Sequence, residues 1–258
     1  MKKKIGIPAG CAFLLLFTAC SHLPPSAMRA EYTDIEPPAD LSGAAWRNAP
    51  EYRFTPYSAG PWYQEIERVS GMRGRVLEGG AIRLLWNENY LYVGIRMDDS
   101  DIVDEAARDQ THIFTQADAV ELFLKHEAYP CYWEIYGSAG GRKTCYFFPG
   151  RGRLGLPGSS RYRHGVTVRT SLCGTLNSEK DRDRGWTLLI KVPAADLTRH
   201  GAEWKAGEKW TIHLVRHNYS VYLPSREVSV FPEFHAGNPH FHEGYAPLVL
   251  AKRGEKLK

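Results

Sequence analysis

After residue 20 the sequence has no apolar run long enough to cross a membrane as a helix. It has no Cys-x-x-Cys pair or other metal-ligand spacing, which removes the usual zinc sites. It lacks a Gly-x-Ser-x-Gly elbow and any cysteine–histidine arrangement that would serve a nucleophilic enzyme. No internal repeat or low-complexity tract appears. Charge of one sign is also scarce. Lysine and arginine number 33 against 29 acids, a formal +4. Three of those lysines are Lys2, Lys3 and Lys4, and a chain cut after them carries +1. That balance gives no electrostatic reason to expect nucleic acid. Helix signals are few, with "PAADLTRHG" reading as one short turn.

The start of the chain, "MKKKIGIPAGCAFLLLFTAC", is distinctive. Three lysines, an apolar run and Thr18-Ala19-Cys20 have the layout of a bacterial lipoprotein signal. Residues 1–19 are expected to be the signal peptide and Cys20 the lipidated residue. Ordinary cleavage with Cys20 as a spare thiol is the alternative. Residues 20–38, with four prolines, read as a tether, 39–250 as one folded domain, and 251–258 as a basic tail. Ser21 stands where an aspartate would signal inner-membrane retention. The expected location is therefore the cell envelope, anchored in the outer membrane on its periplasmic or surface face. Cys131, Cys145 and Cys173 fall within the domain. Export permits a disulfide, and Cys131 and Cys145 flank a hairpin, so they are the expected pair.

Alternation of apolar and polar residues is the dominant pattern. Leu91, Val93, Ile95 and Met97 alternate with Tyr90, Tyr92, Gly94 and Arg96. With Ile82, Leu84 and Trp86 before an Asn-Glu-Asn turn, residues 81–97 form a predicted hairpin. Further strands are predicted over 119–125, 131–137, 143–148, 166–171, 185–192 and 209–217, broken by Gly, Pro, Asn and Asp. "DAVELFLK" has helix-forming residues, but its period of two makes it a strand. Many short strands with aromatics and long loops predict an all-β, two-sheet antiparallel sandwich.

Six segments in order, "LLWNENYLYVGIRMDDSDI", "RDQTHIFTQADAVELFL", "YWEIYGSAGG", "DRGWTLLIKVPAADL", "WTIHLVRHN" and "HFHEGYAPLVL", resemble a family 9 carbohydrate-binding module, a DOMON-like sandwich. The resemblance spans roughly residues 39–250. It implies a glycan site on one sheet face and, in some members, a structural calcium. Matched position by position, it implies site roles for Glu121 and His213, for Asn238 before the last strand, and for Glu134 where the family has an arginine. Phe114 falls at or beside the first of the two tryptophans that clamp sugar in the family. The second falls near Pro239, with Phe241 close by, so both tryptophans are replaced.

Sugar sites need a flat apolar ring and planar polar groups for hydroxyls. By strand parity Trp133 and Ile135 share the core face, while Glu134 and Tyr136 share the other, so Tyr136 is expected to line the site. Glu121 and Glu134 are expected to be solvated on an open face, or paired with an arginine such as Arg142. Non-catalytic glycan binding in polysaccharide capture or catabolism is the function implied, with oligo- or polysaccharide as partner and glycoside hydrolases encoded elsewhere. Two carboxylates on neighbouring strands also leave a small glycosidase open. A haem-binding DOMON relative is a third reading, with Met97 as the axial candidate, although its parity places it in the core. Asp98, Asp99 and Asp101 could ligate calcium or simply cap a turn. His235, His240 and His242 are read as loop histidines.

Overall fold

A computed structural model describes residues 27–60, 68, 71, 74–153 and 161–255. The expected signal peptide and Cys20 lie outside these residues. The strands are β1 (Met28–Tyr32), β2 (Tyr52–Arg53), β3 (Thr55–Pro56), β4 (Gly80–Trp86), β5 (Tyr90–Met97), β6 (Ala119–His126) and β7 (Tyr132–Ser138). They continue as β8 (Lys143–Phe148), β9 (Thr167–Cys173), β10 (Gly185–Pro193), β11 (Trp210–Asn218), β12 (Glu227–Phe231) and β13 (Ala246–Leu250). Two five-residue helices, α1 (Ala44–Asn48) and α2 (Ala194–Thr198), accompany them.

The predicted hairpin forms as alternation requires. Ile82 pairs with Ile95 and Leu84 with Val93. The Asn87 side chain accepts the backbone N–H groups of Asn89 and Tyr90, fixing the turn. "DAVELFLK" is β6, hydrogen-bonded to β7 on one side and β11 on the other. Pairing on both edges outweighs its helix propensity.

The ladder runs β8-β7-β6-β11-β13-β1-β4-β5-β10-β9 without a break, and β12, β3 and β2 pair at its sides. Its two halves fold over one core. Leu122, Leu124, Trp133, Ile135, Ile212 and Leu214 from one half meet Ile82, Leu84, Val93, Ile95, Leu188 and Ile190 from the other. Gly137 on β7 lies so close to β10 that a Cβ there would be 2.9 Å from Leu188. The join between the halves is β1, which runs parallel to both β13 and β4.

This corrects the tether. Residues 28–32 belong to the folded unit, and Met28 and Ala30 are fully buried. Their alternation with Arg29 and Glu31 is masked in the sequence by the prolines on both sides. Ala251, the first residue of the expected tail, is also part of the fold, since its N–H donates to the Ala30 carbonyl at 3.0 Å. The expected disulfide is corrected as well. Cys131 and Cys145 are free and buried. The β7–β8 register places Cys145 opposite Ile135, four residues from Cys131 along the strand. That is roughly 13 Å at strand rise, well beyond disulfide reach.

The outer face of β4, β5 and β10 is covered by the segment carrying α1, where Trp46 packs on Leu85, Tyr92 and Leu189. Gly94 makes room for that indole, since a Cβ there would lie 2.6 Å from it. Gly94→Ala is therefore expected to cost about 1–3 kcal/mol and to lower the melting temperature, which a calorimetric melt reads directly.

Candidate functional site

Parity sends Val120, Leu122 and Leu124 of β6 into the core and leaves Ala119, Glu121 and Phe123 on the opposite face. Register then aligns two rows across the strands. Val215, Glu121, Tyr136 and Thr144 form one, and His213, Phe123, Glu134 and Tyr146 the next. This face is not open. The short 3-10 turn Ile113–Thr115 and the segment 232–245 cover it, and Phe123, Tyr132, Tyr136, Tyr146, Phe234 and Tyr245 form a second buried cluster. Glu121 and Glu134, expected in solvent, are 4% and 5% exposed.

Each carboxyl has a built partner. Glu121 Oε1 shares a 2.9 Å hydrogen bond with His217 Nε2. The Tyr136 hydroxyl donates to Glu134. Burial raises both carboxyls to about 8, opposed at Glu121 by the Arg226 charge and reinforced at Glu134 by Glu121. Burial also pushes His217 down to about 3, helped by Arg226, so its imidazole is neutral. Phe114 lies over this layer. Its ring stacks on Tyr136 with centroids 6.0 Å apart and sits 5.0 Å from His217. Phe114 is half-buried, one of the few aromatic rings of the cluster to reach the surface.

Phe114, Glu121, Glu134 and Tyr136 are thus brought together as expected. The other predicted residues are not. His213 lies on the right face but is fully buried, stacked on Phe234 at 4.3 Å and on Tyr245 at 5.2 Å, with its pKa pushed down to about 3 by desolvation. Asn238 is exposed and caps its own turn by accepting the His240 N–H. Arg142 sits in the β7–β8 turn and donates from Nε to the Ala106 carbonyl, holding the loop before β6. His240 hydrogen-bonds the Tyr132 hydroxyl at 2.7 Å and His242 packs edge-on to the same ring.

Arg226 and Tyr219 were missed. Arg226, just before β12, is half-buried. Its guanidinium donates to the Tyr219 hydroxyl at 2.8 Å, and that hydroxyl donates to the Phe114 carbonyl at 2.8 Å. A cation is thereby fixed beside the Phe114 turn, with Nε and NH2 out of solvent, and its charge favours the ionised form of Glu121. His217 was legible, since "HLVRH" gives it the parity of His213. Arg226 carried no signal, because the strand it precedes was not predicted.

The acids after β5 do not suit calcium. Asp98 is exposed and faces Arg96, Asp99 accepts the Trp186 indole N–H at 2.9 Å, and Asp101 accepts the Val221 N–H at 2.9 Å. Among the described residues no group of three or more His, Cys, Asp or Glu is placed to hold a metal ion. Met97 is buried in the core between Gly80 and Trp186.

The raised carboxyls predict a pH dependence. A carboxyl whose folded pKa exceeds its unfolded value of 4.5 stabilises most below 4.5 and loses that contribution as pH rises toward 8. The buried histidines act oppositely, adding stability between about 3 and 6.5. The two effects offset until 6.5, above which the carboxyls dominate. Melting temperature should fall from pH 6.5 to 8.5, by an amount on the order of 1 kcal/mol per pH unit in stability. Glu134→Gln, scanned across the same range, should flatten that slope.

No family model matches the chain, and no curated protein matches it. Solved structures do. A protein from Bacteroides uniformis to which carbohydrate binding is ascribed superposes with a TM-score of 0.66 at 11% identity, covering 88% of this chain and 99% of its own. A family 9 carbohydrate-binding module from Caldicellulosiruptor kristjanssonii, in complex with cellotriose, superposes at 0.58 and 11% identity, covering 89% and 96%. A family 9 module from the same organism, in complex with glucose, gives 0.58 and 12%, covering 90% and 99%. At such identities the likeness is one of fold, and by that measure this chain has the fold of the family 9 carbohydrate-binding modules.

Proposed function

We propose that the protein binds a carbohydrate, without cleaving it, where the Phe114 ring reaches the surface. The observation that carries this reading is how that ring is held. A partly exposed aromatic ring, its turn tied through Tyr219 to the Arg226 guanidinium, stands over a buried layer of carboxyl, tyrosine and imidazole groups. Support comes from the shared fold of modules in complex with cellotriose and glucose.

Phe114 offers an apolar face to the C–H side of a pyranose. The Arg226 guanidinium gives NH1 to the Tyr219 hydroxyl and has Nε and NH2 out of solvent, so it holds the Phe114 turn through Tyr219. Glu121, His217, Tyr136, Tyr219 and Arg226 act by positioning Phe114. Glu121 and Glu134 are an unsuitable pair for glycoside hydrolysis. Both are buried and engaged with His217 or Tyr136, and burial opposes ionisation of either. The lipoprotein-like start adds a setting to this reading: Cys20 anchors the chain in the cell envelope, and glycoside hydrolases encoded elsewhere break down the polysaccharide that it holds.

A calorimetric titration against a panel of plant and bacterial oligosaccharides tests this. For the ligand found, Phe114→Ala should weaken binding roughly twofold to tenfold, the value of an aromatic contact of about 0.5–1.5 kcal/mol. Arg226→Gln should weaken it less, and no reducing sugar should be released. Unchanged affinity in the Phe114 variant would remove the site.

A further inference from the structure

Arg216 on β11 has the parity of Ile212 and Leu214, which face the core, yet it is an arginine with no exposed surface. Its guanidinium stands at the end of the core where β4 begins and β5 ends. Four oxygens surround it. NH1 donates to the Glu78 carbonyl and, at 2.8 Å, to the Gly79 carbonyl. NH2 donates to the Asp98 carbonyl at 2.7 Å and lies 3.5 Å from Asp99 Oδ2.

Around this centre the acids are spent on backbone amides. Asp118 accepts the Val103 and Tyr219 N–H groups, each at 2.6 Å. Asp183 accepts those of Ile102 and Thr175, each at 2.7 Å. Glu227 accepts those of Leu77 and Glu78. Glu78 accepts the Ser100 N–H and, at 2.8 Å, the Asn218 amide.

Three carbonyls and a carboxylate converging on one buried positive centre are the donor set that a hard divalent cation takes. Here a side chain fills the place. We propose that the Arg216 guanidinium is the resident cation of this oxygen cage, ordering the loops beside the candidate site without a metal ion. The planar fork suits the role, since it sends separate N–H groups to oxygens on two segments, 78–79 and 98–99, that a lysine could not reach together. It also ties β11 to the ends of β4 and β5, which belong to the opposite half of the sheet. The acids nearby are then balanced by a charge that no chelator can remove.

Thermal melts of the purified protein in millimolar calcium and in chelator should superimpose. A saturable rise of melting temperature with calcium would overturn the proposal. Arg216→Met should lower the melting temperature by roughly 10 °C or more, because buried acids lose their counter-charge. Arg216→Lys, which keeps the charge but not the fork, should fall between the two. A lysine variant as stable as the wild type would refute the fork. A methionine variant as stable as the wild type would refute the cation. Should the methionine variant not fold, the wild-type and lysine melts still decide.

Discussion

Two carboxyls held out of water on the face of β6 and β7 away from the core set the terms for the candidate site. A glutamate at such a position would ordinarily be solvated. Here Glu121 and Glu134 sit beneath loops, so each needs a partner. His217 serves one and Tyr136 the other. Tyr136 in turn fixes the plane of Phe114, and His217 fixes its edge. What reaches the surface is therefore the top of a pre-built stack. A rigid aromatic ring placed this way loses little entropy when a ligand covers it.

The same economy of polar groups appears at the end of the core. The acidic stretch after β5 looks from sequence like a metal loop. In the fold its carboxylates close backbone turns and meet a buried guanidinium. Both clusters follow one rule: a buried polar group, charged or neutral, persists where its hydrogen bonds are built around it. They also share a boundary. Asp118 precedes β6, holds the Tyr219 amide, and Tyr219 carries the hydrogen bond to Arg226.

Most of the strands were legible because their alternation survives in the sequence. The hairpin of β4 and β5, and β6 through β11, lie within a few residues of their predicted bounds. Strand parity also placed Trp133 in the core and Tyr136 on the other face. Burial of that other face was not legible. It depends on Phe234 and Tyr245 folding over it from a segment distant in sequence. Phe123, Tyr132 and Tyr136 on the supposedly wet side were the available hint, since strands covered on both faces read as apolar throughout. β1 was lost between prolines, and β12 was not anticipated, which hid Arg226. The disulfide failed because hairpin flanks suggest proximity, whereas register decides it.

The central claim is that sugar sits on Phe114 beside Arg226. The most direct measurement is a crystal structure of the protein grown with the oligosaccharide it binds best. The account predicts a pyranose ring packed on Phe114. Sugar ordered elsewhere on the sheet, with Phe114 bare, would contradict it.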